Sequence, residues 1–209
     1  MTPCGIISRR RQLLARKNDK WKGFLLLVLL LASPAFASTL NERLIRQGTL
    51  ELFVGSYNMN EPRFDKVYPG GGTIGGLALS SALVDNFNFY LEMKYYPRTG
   101  KLTFSLDETR FTLIPLSLGL RYILPLGSIN PYLGGGADFY FYSEDNPIGT
   151  VVNYTNGVHF VGGAYVQFSR KVPVMLNVKL KYTTARATEN DIQIQLGGLE
   201  YGIGVAFAF

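Results

Sequence analysis

The last eleven residues constrain the fold most, because their side chains alternate strictly between two kinds. Successive side chains of a β-strand point to opposite faces. One face here carries glycine and alanine with Glu200 as its single charge, which suits the inside of a narrow barrel, and the other is apolar enough to face lipid. About ten tilted residues cross a bilayer core, so we predict a membrane-spanning strand. The apolar face consists of Leu199, Tyr201, Ile203, Val205, Phe207 and Phe209.

Seven earlier stretches alternate in the same way. The connections between the stretches are long and short in turn, as outer-membrane barrels arrange their outer loops and periplasmic turns. We therefore predict an all-β fold, an eight-stranded antiparallel up-and-down transmembrane β-barrel over residues 49–209. Near residues 197–198 the apolar positions change parity, which we interpret as a β-bulge. The seven stretches are residues 49–57, 73–84, 87–96, 108–124, 131–142, 154–169 and 174–183.

The first 37 residues have the three parts of a secretory signal peptide. Seven basic residues precede an apolar run, residues 24–31, that is too short to span a membrane as a helix. Ala35 and Ala37 then match the small residues of a cleavage site. We predict cleavage after Ala37, a periplasmic N-terminal lead-in over residues 38–48, and export to the outer membrane.

The positive charge of the chain belongs to this leader. The whole chain has 21 basic and 15 acidic residues and a net charge of +6, and residues 1–37 hold seven of the basic and one of the acidic residues, which leaves 14 of each. A balanced remainder gives no support for a nucleic-acid partner. The single cysteine, Cys4, also lies in the leader, so we expect no disulfide in the exported protein.

Charged residues within the strands fall on the faces that we assign to the barrel interior. An eight-stranded barrel is just wide enough for side chains to fill, and a buried charge is costly unless it is paired. A balanced set of acids and bases favours a lumenal network of ion pairs that plugs the barrel, and a narrow path for ions or solutes is the competing hypothesis. The set is Glu51, Glu92, Lys94, Arg121, Asp138, Lys179, Lys181 and Glu200.

Catalytic, metal and cofactor sites find little support in the sequence. His159 is the only histidine, and no serine flanks it, as a histidine–serine lipid-modifying enzyme would need. The acidic residues lack the spacing of an EF-hand. The triple glycines at residues 70–72 and 134–136 lack the lysine that follows in a phosphate-binding loop. We predict a protein that is not an enzyme and that holds no cofactor or metal.

Three segments, residues 130–136, 157–163 and 199–209, resemble the small bacterial outer-membrane β-barrel domain family, which includes relatives of outer-membrane proteins A and W. The resemblance implies the fold and the location. It also implies that the closing strand is read by the barrel-insertion machinery, at Tyr201, Gly204, Phe207 and Phe209. We expect the other partners to be outer-membrane lipids and lipopolysaccharide, and the protein to be a monomer.

For the function, we expect a structural or surface-interaction role through the extracellular loops. The alternative is a narrow channel for small hydrophobic solutes, similar to outer-membrane protein W and opening sideways between strands. An enzyme that modifies lipid A ranks third. A soluble lipocalin-like barrel would carry charges outside and apolar residues inside, which is the reverse of the pattern in residues 174–183.

Overall fold

The computed structural model describes residues 48–103, 105–168, 172–189 and 192–209, so the predicted signal peptide and the lead-in up to residue 47 lie outside the described residues. The elements are β1 (Gly48–Met59), α1 (Pro62–Val67), β2 (Gly72–Val84), β3 (Phe87–Lys101), β4 (Glu108–Ile123), β5 (Ile129–Asn146), β6 (Gly149–Gln167), β7 (Val174–Glu189), β8 (Ile192–Gln195) and β9 (Gly198–Ala208).

The strands form one antiparallel sheet in which neighbours along the chain are also neighbours in space. β8 and β9 follow each other along the same side of β7 and together make one barrel strand. β1 pairs with β2 on one side and with β9 on the other, and the second pairing closes the sheet. The predicted fold class, an eight-stranded antiparallel up-and-down barrel, is confirmed.

The β-bulge predicted near residues 197–198 is wrong. The register between β7 and the strands β8 and β9 is the same on both sides of the interruption, and the side chains keep their faces. Leu196 and Glu200 are both buried inside the barrel. The apolar positions change parity because the interior itself changes from charged to apolar at this height.

At one end of the barrel the strands are longer than the sequence pattern indicated. The predicted loops over residues 143–153 and 184–191 are mostly strand, and residues 97–101 of the predicted loop over 97–107 extend β3, because cross-strand pairing continues beyond the apolar stretches. The connection over residues 60–71 contains α1, which was not predicted. Glu61 is its N-cap, with its side chain accepting a hydrogen bond from the Arg63 amide at 3.2 Å, and proline occupies the first helical position.

The two ends of the barrel differ in their connections. We call the end with the short turns at residues 85–86 and 124–128 the turn end, and the opposite end, with α1 and the extended hairpins, the loop end. The first and last described residues meet at the turn end, where the Phe209 amide donates to the Gly48 carbonyl at 3.1 Å.

The outer wall is apolar over the middle of the barrel. On β7, Val178 and Leu180 are 46% and 54% exposed, whereas Lys179 and Lys181 between and beside them are 5% and 3% exposed. This is the arrangement that a bilayer requires and the opposite of a soluble barrel.

Within the described residues, no helix is both long and apolar enough to cross a membrane.

Candidate functional site

Two parts of the barrel interior have opposite character. The ionic layer, which we define as the eight charged residues predicted to face the lumen together with His159, lies from mid-height toward the turn end, and all nine of its side chains are buried. The aromatic cap lies toward the loop end. We define the aromatic cap as the cluster of Phe53, Tyr57, Met59, Tyr68, Ile74, Tyr96, Phe111, Leu113, Tyr140, Tyr142, Ala185, Ala187 and Leu196.

Glu51 and Arg121 form the part of the ionic layer nearest the turn end. The Arg121 Nη2 lies 2.7 Å from Glu51 Oε1, which also accepts a hydrogen bond from the Tyr165 hydroxyl at 2.5 Å. The Asn177 amide donates to Glu51 Oε2 at 2.7 Å. The guanidinium carbon of Arg121 lies 5.1 to 5.5 Å from the centroids of three tyrosine rings, including Tyr165. Hydrogen bonds and cation–π contacts thus offset the desolvation of this ion pair.

At mid-height, two carboxylates share three lysines. Glu92 contacts both Lys94 and Lys179, and its Oε1 lies 3.5 Å from Lys181 Nζ. Lys94 Nζ also donates to both oxygens of Glu200, at 2.5 and 2.6 Å. Every charge in this group has at least one partner of opposite sign, as burial in a barrel interior requires.

Asp138 links the lysines to the histidine. Its Oδ1 accepts from Lys181 Nζ at 2.9 Å, and its Oδ2 lies 3.0 Å from His159 Nδ1. The other ring nitrogen of His159 is hydrogen-bonded to the Tyr90 hydroxyl. A carboxylate, an imidazole and a hydroxyl in line resemble a catalytic relay in composition. Both the His159 and the Asp138 side chains are 0% exposed, so no substrate can reach them in this arrangement.

Glycines on the inner face make room for the large side chains of this layer. A Cβ added at Gly119 would lie 2.9 Å from the Tyr90 hydroxyl oxygen, a distance shorter than van der Waals contact. The remaining space is small. A cavity of about 10 Å³ lies among Tyr90, Glu92, Arg121 and Lys179, which is room for about one water molecule.

The aromatic cap is covered at the loop end by α1. Phe64 of the helix packs edge-on against Phe111 with 5.0 Å between ring centroids. The Tyr68 hydroxyl, just beyond the helix, bonds Thr109 at 2.9 Å and Glu144 at 3.2 Å. Burial, together with the neighbouring Glu144 carboxylate, raises the pKa of Tyr68 to about 12.

A single arginine fixes the segment that follows α1. The guanidinium of Arg98, on β3, donates to the backbone carbonyls of Tyr68, Pro69, Gly70 and Gly71 at distances between 2.6 and 2.9 Å. The two terminal nitrogens of the planar guanidinium thus donate to four carbonyl oxygens. The connection between β1 and β2 is therefore held against the barrel wall.

β5 and β6 continue at the loop end as a two-stranded hairpin, residues 141–154. Its apolar side chains are unusually exposed, with Ile148 at 90%, Tyr154 at 73% and Val152 at 67%. Within the described strands, residues 149–156 of β6 pair with β5 alone, since the β6–β7 ladder begins at Gly157. One side-chain bond crosses the gap, from the Thr155 hydroxyl to the Arg186 carbonyl at 2.6 Å. The hairpin thus presents an open strand edge.

The four residues of the predicted insertion signal lie on both faces of the closing strand. Tyr201, Phe207 and Phe209 are on the outer wall and 42% to 48% exposed. Gly204 faces the interior opposite Phe53 of β1.

The pairings within the interior were not found from the sequence. The sequence pattern assigns Asp138 to the interior but does not connect it with His159. The signal lies in the register: Asp138 faces Gly157 and His159 faces Gly136, which makes the two side chains diagonal neighbours. The aromatic cap was not predicted for a different reason. The sequence pattern assigns apolar side chains to the lipid-facing wall, and the apolar side chains of the cap point inward.

Among residues 48–209, with the gaps noted above, no group of three or more His, Cys, Asp or Glu side chains could hold a metal ion.

Comparison with solved structures finds other small membrane barrels. The outer membrane protein OprG from Pseudomonas aeruginosa is 14% identical with a TM-score of 0.58, and Neisserial surface protein A (NspA) is 14% identical with a TM-score of 0.54; each match covers 78% of this chain and 97% of the other. The attachment invasion locus protein Ail of Yersinia pestis, solved with the heparin analogue sucrose octasulfate, is 11% identical with a TM-score of 0.50, covering 77% of this chain and 97% of Ail. These likenesses agree with the fold predicted from the sequence.

No protein-family model matches the sequence, and no curated protein matches it.

Proposed function

Because this chain is a transmembrane β-barrel of the outer-membrane type, we propose that it serves as an ion-paired scaffold that presents a protein-binding hairpin at the cell surface. In this proposal the loop end faces the outside of the cell, and the first and last residues of the barrel lie on the periplasmic side. The observation that carries it is the β5–β6 hairpin, which projects beyond the apolar band with an open strand edge and exposed apolar side chains.

The hairpin has the properties of a recognition surface. Exposed contiguous apolar residues are uncommon on proteins that bind nothing, and an unpaired strand edge can accept an extended segment of another protein by main-chain hydrogen bonds. Ile148 and Val152 lie well above the lipid-facing residues of the same strands. The name of Neisserial surface protein A refers to a surface and that of the attachment invasion locus protein refers to attachment, which is compatible with such a role.

The interior supports a scaffold better than a conduit. The eight charged residues of the ionic layer are paired with one another, and opening a path through them would leave buried charges without partners. Breaking a buried ion pair costs about 3–5 kcal/mol. We propose that this network holds the lumen closed to solutes and that the protein has no catalytic role.

The test compares the hairpin with the lumen in the same preparations. Cells that display the wild-type protein are incubated with immobilised serum and matrix proteins, alongside cells with the Val152→Ser and Tyr154→Ser variant and cells with a matched Thr99→Ser variant on β3. We expect the wild type and the control to bind at least one immobilised protein and the hairpin variant to lose that binding. Equal binding by all three, or ion conductance of the purified barrel in a planar bilayer, would overturn the proposal.

A channel for small hydrophobic solutes is the second candidate, because the barrel wall has a gap between β1 and β8. Between β1 and β8 no strand ladder is formed within the described residues, and the gap is bridged by the Glu61 carboxylate, whose Oε2 accepts from the Gln195 amide at 2.9 Å. If solutes leave sideways through this gap, Glu61→Ala should raise the uptake of a hydrophobic solute into cells. Unchanged uptake in that variant would remove the channel candidate.

We further propose that the closing strand is recognised by the barrel-insertion machinery at Tyr201, Gly204, Phe207 and Phe209, and that the barrel functions as a monomer surrounded by outer-membrane lipids and lipopolysaccharide. The apolar outer face of β9 supports the lipid contact. Replacing Phe209 by Ser should lower the amount of heat-modifiable barrel in membranes without changing the amount of protein synthesised.

A further inference from the structure

A polar cleft of about 370 Å³ opens on the outer wall at the loop end, beside the gap between β1 and β8. We call it the seam cleft. This volume lies within the range of small-ligand sites, about 300–1,000 Å³. Its polar side chains come from β7, from β8 and from the start of the β1–β2 connection, namely Asn60, Glu61, Thr184, Arg186, Gln193 and Gln195.

Arg186 brings a positive charge to the cleft. Its side chain points outward on β7, and within the described residues its guanidinium has no hydrogen-bond or ion-pair partner. Gln195 is its cross-strand neighbour on β8 and shares the outer face. Glu61 is the acid of the cleft, and its two oxygens accept from the backbone amides of Arg63 and Gln195 rather than from the Arg186 guanidinium.

The neutral side chains of the cleft are suited to hydroxyl groups. Asn60, Gln193 and Gln195 each carry an amide that both donates and accepts hydrogen bonds. Within the described residues, the side chains of the two glutamines have no partner in the protein. Side-chain amides in the same cleft as an unpaired guanidinium match a ligand with several hydroxyls and one anionic group, which is the chemistry of a phosphorylated sugar.

The position of the cleft relates it to the bilayer. Tyr182, which also lines the cleft, is half-exposed on the outer wall, and Leu180 and Tyr201 lie below it on the lipid-facing surface. Tyrosines of this kind mark the level of the lipid headgroups. A molecule whose chains lie along the apolar wall therefore has its headgroup at the height of the cleft.

We propose that the seam cleft binds the phosphorylated sugar headgroup of an outer-leaflet glycolipid, with Arg186 on the phosphate and the amides of Gln193 and Gln195 on sugar hydroxyls. The proposal rests on the proposed orientation, in which the loop end faces outward. It adds a lipid site to that function and uses none of the residues of the β5–β6 hairpin.

The experiment measures lipid binding to the purified barrel in detergent micelles by native mass spectrometry. The probes are monophosphoryl lipid A, free glucosamine 1-phosphate and dioleoylphosphatidylglycerol. The variants are Arg186→Ala and the double change Gln193→Ala with Gln195→Ala. The matched control is Arg110→Ala, which removes an outward arginine of the same end that is paired with Glu108 at 3.1 Å. A heat-dependent gel shift verifies that each variant is folded.

We expect monophosphoryl lipid A to bind the wild type and the Arg110 control equally, and to bind the Arg186 variant about tenfold more weakly, since a hydrogen bond to a charged group is lost. The glutamine variant should lose its preference for lipid A over phosphatidylglycerol. Equal losses in the Arg186 and Arg110 variants would overturn the site. Tight binding of free glucosamine 1-phosphate would show that the cleft binds a soluble sugar phosphate and would overturn the proposal of a lipid ligand. Equal binding of phosphatidylglycerol and lipid A by the wild type would overturn the proposal that the cleft recognises a sugar. Because the hairpin stays intact in these variants, cell-surface binding tests the scaffold function separately.

Discussion

The ionic layer and the aromatic cap fill the same barrel by different physical means. In the ionic layer each group depends on its partners, because removal of Glu92 would take away one of the two carboxylates that Lys94 and Lys179 share. In the aromatic cap the residues fill space, and loss of one leaves a cavity without stranding a charge. A substitution in the ionic layer is therefore expected to affect several charged residues at once, whereas one in the aromatic cap affects only its neighbours. The barrel should tolerate substitutions better in the aromatic cap.

The largest effect is expected in the ionic layer. Glu92→Ala should destabilise the folded barrel by about 3–5 kcal/mol, since buried lysines lose a carboxylate. The measurement is the urea concentration at which the heat-modifiable band is lost, compared with Glu108→Gln. Glu108 forms an ion pair on the exposed surface, where such pairs contribute little. A Glu92 variant as stable as this control would show that the lysines do not need their partners.

A smaller loss of folding stability is expected from a substitution in the aromatic cap. Leu113 is 0% exposed, and Leu113→Ala should cost about 2–4 kcal/mol through lost contacts and a residual cavity. Because no charge is involved, this loss of stability should be independent of salt. The effect of Glu92→Ala should change with ionic strength, because it leaves the charges of the ionic layer unbalanced. Unfolding curves at low and high salt measure the difference. Equal salt dependence of the two variants would contradict the contrast between the halves.

Arg98→Ala should act on the loop end alone. Its guanidinium holds the carbonyls of residues 68–71, so its loss should free the α1 connection while the barrel stays closed. Trypsin should then cut after Arg63 or Lys66 several times faster than in the wild type, with an unchanged heat-dependent gel shift. Arg110→Ala is the control, and the proposed clamp is wrong if both variants are cut at the same rate.

The smallest effect is expected from Tyr68 and depends on pH. Its pKa is raised from 10 to about 12, so the folded state favours the neutral hydroxyl. The neutral Tyr68 hydroxyl therefore contributes fully to the stability of the folded state below pH 10, and this contribution is lost as the pH rises toward 12. The difference in melting temperature between the wild type and Tyr68→Phe should therefore narrow across this range, because phenylalanine does not titrate. A constant difference from pH 9 to pH 12 would exclude the Tyr68 hydroxyl as its source.

The same contrast explains how much could be predicted from the sequence. Strands with polar inward residues, such as β7, were recognised because lysine alternates there with valine and leucine. The eight charged residues were assigned to the interior for the same reason, and the structure buries all of them. In β8 the rule failed, since Ile194 and Leu196 face an apolar interior. The pairing of His159 with Asp138 depends on cross-strand register, which one sequence does not specify.

The pairing of β1 with β9 has a consequence for biogenesis. The first barrel strand has no sheet neighbour on one side until the final strand arrives, so the ladder that seals the wall is also the contact most distant in sequence, and such contacts form slowly. During export the chain carries two unsatisfied strand edges and a set of lysines and glutamates awaiting their counterparts. Both edges stay open to pairing with other chains until the β1–β9 ladder forms, so this ladder also protects the barrel from edge-to-edge association.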